Sequence, residues 1–64
     1  MVRINGTLFD VAGISVEDYL LVSGYDLRRV AVELNGKIIP KSQYRNTYLS
    51  DDDCMEVVSF VGGG

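Results

Sequence analysis

The sequence predicts an α+β domain in which a mixed sheet of four to five strands packs on one main helix. Three observations predict it. Two Asn-Gly pairs, Asn5-Gly6 and Asn35-Gly36, each stand between short apolar runs; one segment of helical spacing lies between Ser15 and Gly24; and an alternating apolar run follows Ser50-Asp51-Asp52-Asp53. Hairpins on either side of a single helix place that helix on one face of the sheet.

Val2-Arg3-Ile4 alternates with period two and meets Asn5-Gly6, which supplies the two positive φ angles of a type I′ turn into a second strand, Thr7 to Val11. Ala12-Gly13 breaks that strand. Ser15 is placed to cap a helix by accepting from the amide of Asp18, with Ile14 and Tyr19 at the positions of a hydrophobic staple. Val16, Tyr19 and Leu20 form its apolar stripe, while Glu17 and Asp18 sit near the positive end of its dipole. Gly24 is the expected left-handed stop, with Tyr25 folding back onto Leu20.

Asp26 to Arg29 reads as a connector, and Val30 to Leu34 as a third strand with Val30, Val32 and Leu34 on one face. Asn35-Gly36 turns it into Lys37-Ile38-Ile39, which Pro40 ends or confines to an edge. Lys41 to Asn46 is polar, with room for one helical turn that tucks Tyr44 inward, and Thr47-Tyr48-Leu49 reads as a short edge strand. The last strand is Cys54 to Val61. Laid beside the first strand it is central: Met55 and Val57 meet the helix, and Glu56, Val58 and Phe60 face away with Ala31 and Glu33. Val58 and Phe60 then either form an exposed patch of the kind that marks partner sites or are covered by loops and sheet twist.

Sixty-four residues allow a single domain, residues 1–61, followed by a flexible glycine tail, residues 62–64. The net charge of −3 argues against a nucleic-acid partner and mildly for a basic protein surface. A lone cysteine and the lack of a leader point to the cytoplasm, and no apolar run is long enough for a membrane span. Histidine is absent, which removes the commonest general base and metal ligand. Asp51-Asp52-Asp53 reads as a solvated turn rather than a metal site, since consecutive residues do not turn toward one ion. Cys54, after three carboxylates, reads as a partly buried strand residue rather than a nucleophile. Arg28-Arg29 reads as a solvated connector. With no base, nucleotide cradle or metal site, the chain is not expected to be an enzyme on its own.

What remains is Gly62-Gly63-Gly64, directly after an apolar strand. Glycine is thin enough to enter a narrow channel and leaves its own carbonyl open to attack, and three residues reach roughly 10 Å. A frayed end has the same composition. A rigid head with such a tail fits a carrier whose carboxylate other proteins activate and use.

Ile4-Asn5-Gly6, Ser15-Val16-Glu17-Asp18, Val30-Ala31-Val32-Glu33-Leu34-Asn35-Gly36, Ile39-Pro40-Lys41-Ser42, and Glu56-Val57-Val58 through Phe60-Val61-Gly62-Gly63-Gly64 resemble the ThiS family of thiamine-biosynthesis sulfur carriers over essentially the whole chain. The resemblance implies a ubiquitin-like β-grasp fold. It implies that the Gly64 carboxylate is adenylated by a ThiF-type adenylyltransferase with ATP and magnesium, the carrier itself binding no cofactor. A thiocarboxylate follows, its sulfur drawn from cysteine through a cysteine desulfurase, and is delivered to a ThiG-type thiazole synthase. Gly62 and Gly63 match the part that threads into both partners, and Val58 and Phe60 fall on the docking face. Two departures are Asp52, where the family commonly has glycine, and Cys54, which matches no motif. The small sulfur-carrying subunit of molybdopterin synthase and ubiquitin-like protein modifiers share the fold and the glycine ending.

Overall fold

Both Asn-Gly pairs turn hairpins, with φ of 49° and 84° at Asn5 and Gly6 and 51° and 86° at Asn35 and Gly36, the two positive angles of a type I′ turn. The computed structural model describes residues 1–60. Val61, the expected strand end, and the expected tail Gly62, Gly63 and Gly64 lie outside the described residues. The first hairpin joins β1 (Val2–Ile4) to β2 (Thr7–Phe9); the second joins β3 (Val30–Leu34) to β4 (Lys37–Ile39). Between them runs helix α1 (Val16–Val22), and β5 (Cys54–Ser59) follows. The sheet order is β2-β1-β5-β3-β4, with β5 parallel to β1 and antiparallel to β3. The mixed five-stranded sheet with a central last strand is therefore present as the order of signals predicts.

Helix α1 begins and ends by side-chain and backbone chemistry written in the sequence. Ser15 Oγ accepts from the Asp18 amide at 3.0 Å. At the other end Gly24 takes φ +85°, its amide donating to Leu21 O at 3.1 Å while that of Tyr25 reaches back to Leu20 O at 3.0 Å. That pair of bonds is the Schellman closure, and it needs a left-handed residue at Gly24. Only seven residues long, α1 depends on burying Val16, Tyr19 and Leu20 against the sheet. The facing residues are Val2 and Ile4 of β1, Val30 and Val32 of β3, and Met55 and Val57 of β5, all buried. Phe9 packs edge-on against Tyr19, with ring centroids 6.1 Å apart.

Three local expectations change. The second strand stops at Phe9 rather than Val11, because β1 offers it only Val2, Arg3 and Ile4 as partners. Asp26–Arg29 is not a plain connector: Leu27–Arg29 forms a 3₁₀ turn capped by the Asp26 carboxylate, which accepts from the Arg28 amide at 2.9 Å. Thr47–Leu49 is not an edge strand. Its backbone bonds to the approach to α1 instead, Val16 N to Thr47 O and Leu49 N to Ile14 O both at 2.8 Å, with a single bridge between Ser15 and Tyr48. Lys41–Asn46 is a 3₁₀ helix that buries Tyr44, as the sequence suggests.

Candidate functional site

β5 is the element that leads into the glycine run, so what holds it in place sets where that run leaves the domain. It is gripped from both sides. β1 and β3 supply the ladder, and the two turn asparagines supply clamps. Asn5 accepts from Val57 N at 2.8 Å and donates to Val57 O at 3.2 Å, continuing the β1–β5 pairing past the point where β1 turns away. Asn35 accepts from Cys54 N at 2.9 Å, and its own amide donates to Cys54 O at 2.8 Å. Each asparagine thus does two things, taking a positive φ and pairing with the central strand. The clamping role is not visible in the sequence alone, since it depends on which strand lies beside the turn. Past the strand, Phe60 N donates to Arg29 O at 2.6 Å.

Strand alternation splits β5 between two faces. Met55 and Val57 are buried against α1, while Glu56 and Val58 point to the opposite, open face. Val58 is 54% exposed and Phe60 57%, so neither loops nor sheet twist cover them. Val58 pairs with Ala31, and Glu56 with Glu33, which pairs in turn with Ile38 on β4. Ala31, Glu33, Ile38, Glu56 and Val58 line one shallow groove on this face. Ile38 is the member that reading the sequence passes over; the register fixed by the Asn35-Gly36 turn places it beside Glu33, and counting back from that turn finds it.

At the opposite end of the same face, Met1, Arg3, Leu8, Asp52, Asp53 and Cys54 surround a second shallow depression. Cys54 is exposed, not partly buried: it opens β5 on the open face, where nothing packs over it. The aspartate turn is held for structural ends. The Asp53 carboxylate accepts from Asn35 Nδ2 at 2.9 Å and from Ser50 N at 2.8 Å, and Asp51 pairs with the Met1 ammonium. Asp52 takes φ 71°, the left-handed conformation for which glycine is suited. Among the described residues no group of three or more His, Cys, Asp and Glu side chains converges as a metal site. No helix of the described residues is long and apolar enough to cross a membrane.

Arg28 and Arg29 both pair with Asp26, at 3.3 and 3.6 Å. The Arg28 amide and guanidinium hold the Asp26 carboxyl below the usual aspartate range. Burial pushes the Tyr44 phenol up. Tyr44 belongs to the core, away from the open face. Of the sequence-derived candidates, then, Val58 and Phe60 are both exposed, Val58 on the open face of β5 and Phe60 just past the strand's end, and Gly62, Gly63 and Gly64 lie outside the described residues.

Residues 2–64 match the sequence model of the ThiS family. The sulfur carrier protein ThiS of Bacillus subtilis (strain 168) is 40% identical over 50 residues, covering 78% of this chain and 76% of that one. A thiazole synthase of Paramagnetospirillum magneticum is 47% identical over 53 residues, 83% of this chain, which spans only 16% of that protein's length. The crystal structure of the thiamine biosynthesis protein ThiS from Geobacter metallireducens superposes with a TM-score of 0.75 at 28% identity, covering 98% of this chain and 97% of that one. The β-grasp arrangement of one helix on a mixed five-stranded sheet is common to both.

Proposed function

The chain belongs to the ThiS family, and from that premise we propose that it is a sulfur carrier for thiazole formation in thiamine biosynthesis, acted on by enzymes rather than acting as one. The observation that carries this reading is that the family match extends through residue 64, so it includes the glycine run beyond the domain. A carboxylate is a poor electrophile at neutral pH. Adenylation of the Gly64 carboxylate by a ThiF-type enzyme, with ATP and magnesium, makes its carbonyl attackable. The terminal sulfur of a persulfide, drawn from cysteine by a desulfurase, then attacks that carbonyl and displaces AMP, and a thiol cleaves the resulting acyl disulfide, taking the second sulfur away as a disulfide and leaving a thiocarboxylate, a soft nucleophile.

The head's part is positional. Clamped β5 presents Val58 on the open face, with exposed Phe60 just past the strand's end, and docking there would deliver Gly62 and Gly63 toward a partner's channel. The acceptor is a ThiG-type thiazole synthase. Similarity to a segment of a thiazole synthase polypeptide supports this, since joining carrier and acceptor in one chain raises their effective concentration. The exposed Cys54 thiol suits a reducing compartment, the cytoplasm.

Two variants test the tail. Deleting Gly63 and Gly64 abolishes sulfur transfer to the synthase while leaving the circular dichroism and Tm of the head unchanged. Gly63→Val has a similar effect, because a branched side chain blocks a channel sized for glycine. Normal adenylation and thiolation of Gly63→Val would refute the channel argument, and sulfur transfer by the truncated chain would refute the carrier.

A further inference from the structure

The two Asn-Gly turns share a covalent reaction that needs only water. The glycine amide nitrogen, once it has given up its proton, attacks the asparagine side-chain carbonyl carbon; the new N–Cγ bond closes a cyclic imide, and the side-chain nitrogen takes up a proton and leaves as ammonia. Water then opens the imide at either carbonyl, giving aspartate or isoaspartate. Glycine permits the attack because no side chain shields its nitrogen. Both turns meet that condition here. Nothing lies within 4 Å of where a Cβ would stand at Gly6 or Gly36, and among the described residues neither glycine amide donates a backbone hydrogen bond.

The two asparagines differ in how their side chains are held. Asn5 Oδ1 accepts from Val57 N at 2.8 Å and Asn5 Nδ2 donates to Val57 O at 3.2 Å, both part-buried. Turning its Cγ toward Gly6 N abandons a backbone pair of the central strand where little water can replace the lost bonds. Asn35 Oδ1 accepts from Cys54 N at 2.9 Å and Asn35 Nδ2 donates to Asp53 Oδ1 at 2.9 Å, both exposed. Water can take over each of those bonds, and one partner is a side chain rather than strand backbone.

We propose that Asn35 is a deamidation site of the folded chain, that Asn5 is protected by its clamp on Val57, and that conversion at Asn35 unlatches the entry to β5. A carboxylate has no proton to donate, so the atom that served Asp53 Oδ1 becomes a negative oxygen facing it at hydrogen-bond distance. Asp53 is the latch itself. Its carboxylate also accepts from Ser50 N at 2.8 Å, tying the turn before β5 to the turn after β3. Repulsion parts those turns in a stretch that already carries Asp51 and Asp52, where the Met1 ammonium is paired with Asp51. Isoaspartate does more, because it routes the main chain through the side-chain carbon and lengthens the turn that sets the pairing of Leu34 with Lys37 and of Glu33 with Ile38. The far end of β5, where Val30 pairs with Ser59, keeps its bonds.

The experiment is peptide mapping by mass spectrometry of the full chain held in mildly alkaline buffer, folded and in urea, following the exchange of amide nitrogen for oxygen at each asparagine. In the folded chain Asn35 is expected to convert roughly tenfold faster than Asn5. In urea, with both clamps gone, the two rates are expected to be similar. Equal folded rates, a faster Asn5, or a folded chain that converts at neither site while the urea sample converts at both would overturn the proposed site. The unlatching is read separately. Asn35→Asp, which presents one of the products, is expected to lower Tm by about 5 °C, and adding Asp53→Asn, which returns a donor to the pair, is expected to recover most of that loss. An unchanged Tm in Asn35→Asp, or a loss that Asp53→Asn leaves as it was, would overturn the latch.

Discussion

Asn5 and Asn35 show how much a single residue type settles in this protein. Each combines a positive φ, which opens a type I′ turn, with a pairing to β5. The turn role is legible in the Asn-Gly dipeptide; the clamp is not, because it exists only once the chain's last strand has come to lie between the first and third. Glycine at position 5 tests the distinction. Asn5→Gly keeps the turn but removes both bonds to Val57, leaving a part-buried backbone pair unanswered, and is expected to lower unfolding free energy by about 1–2 kcal/mol in urea denaturation. Asp52 poses the reverse case. It adopts φ 71° where the family commonly carries glycine, and its side chain makes no hydrogen bond among the described residues, while its amide donates to Met1 O at 2.8 Å whichever residue stands there. Asp52→Gly is expected to stabilise by about 0.5–1 kcal/mol, read from the shift in denaturation midpoint.

The elements were legible to different degrees, for physical reasons. Helix α1 carries all its signals locally: the Ser15 cap, the Val16, Tyr19, Leu20 stripe and the Gly24 stop are within hydrogen-bonding or packing range of one another along the chain. The final strand's two faces were legible too, since alternation alone assigns Met55 and Val57 inward and Glu56 and Val58 outward. Thr47–Leu49 was not, because its apolar-flanked, β-favouring residues are satisfied by the approach to α1 rather than by the sheet edge, a long-range choice with no local sign. The Leu27–Arg29 turn escaped notice for a different reason: three residues hold too few signals, yet Asp26 is its cap. That cap has a pH signature. Bonds from the Arg28 amide and guanidinium lower the folded-state pKa of Asp26, so its contribution is present above the ordinary aspartate value and is lost as pH falls through the lower, folded value. Asp26→Asn is expected to flatten the acid limb of a Tm-against-pH curve in that range; an unchanged acid limb would show the cap contributes nothing.

At the scale of the whole molecule, one face of the sheet is spent on stability and the other is kept open. The helix, Tyr44 and Leu49 close the inner face, and Val2, Ile4, Val30, Val32, Met55 and Val57 fill it. On the open face the sheet displays Val58 and Ile38 with an opposed pair of carboxylates, a surface that burial alone would not produce. In the function proposed for the chain, the closed face would hold β5 in place and the open face would align a partner with the glycines that follow it. The measurement that tests this most directly is intact mass spectrometry after incubation with a ThiF-type enzyme, ATP, magnesium, cysteine and a desulfurase under non-alkylating conditions. A sulfur carrier gains the mass difference of one oxygen replaced by sulfur, localised to the fragment that ends at Gly64. An unshifted mass in the presence of demonstrably active partners would contradict the carrier function.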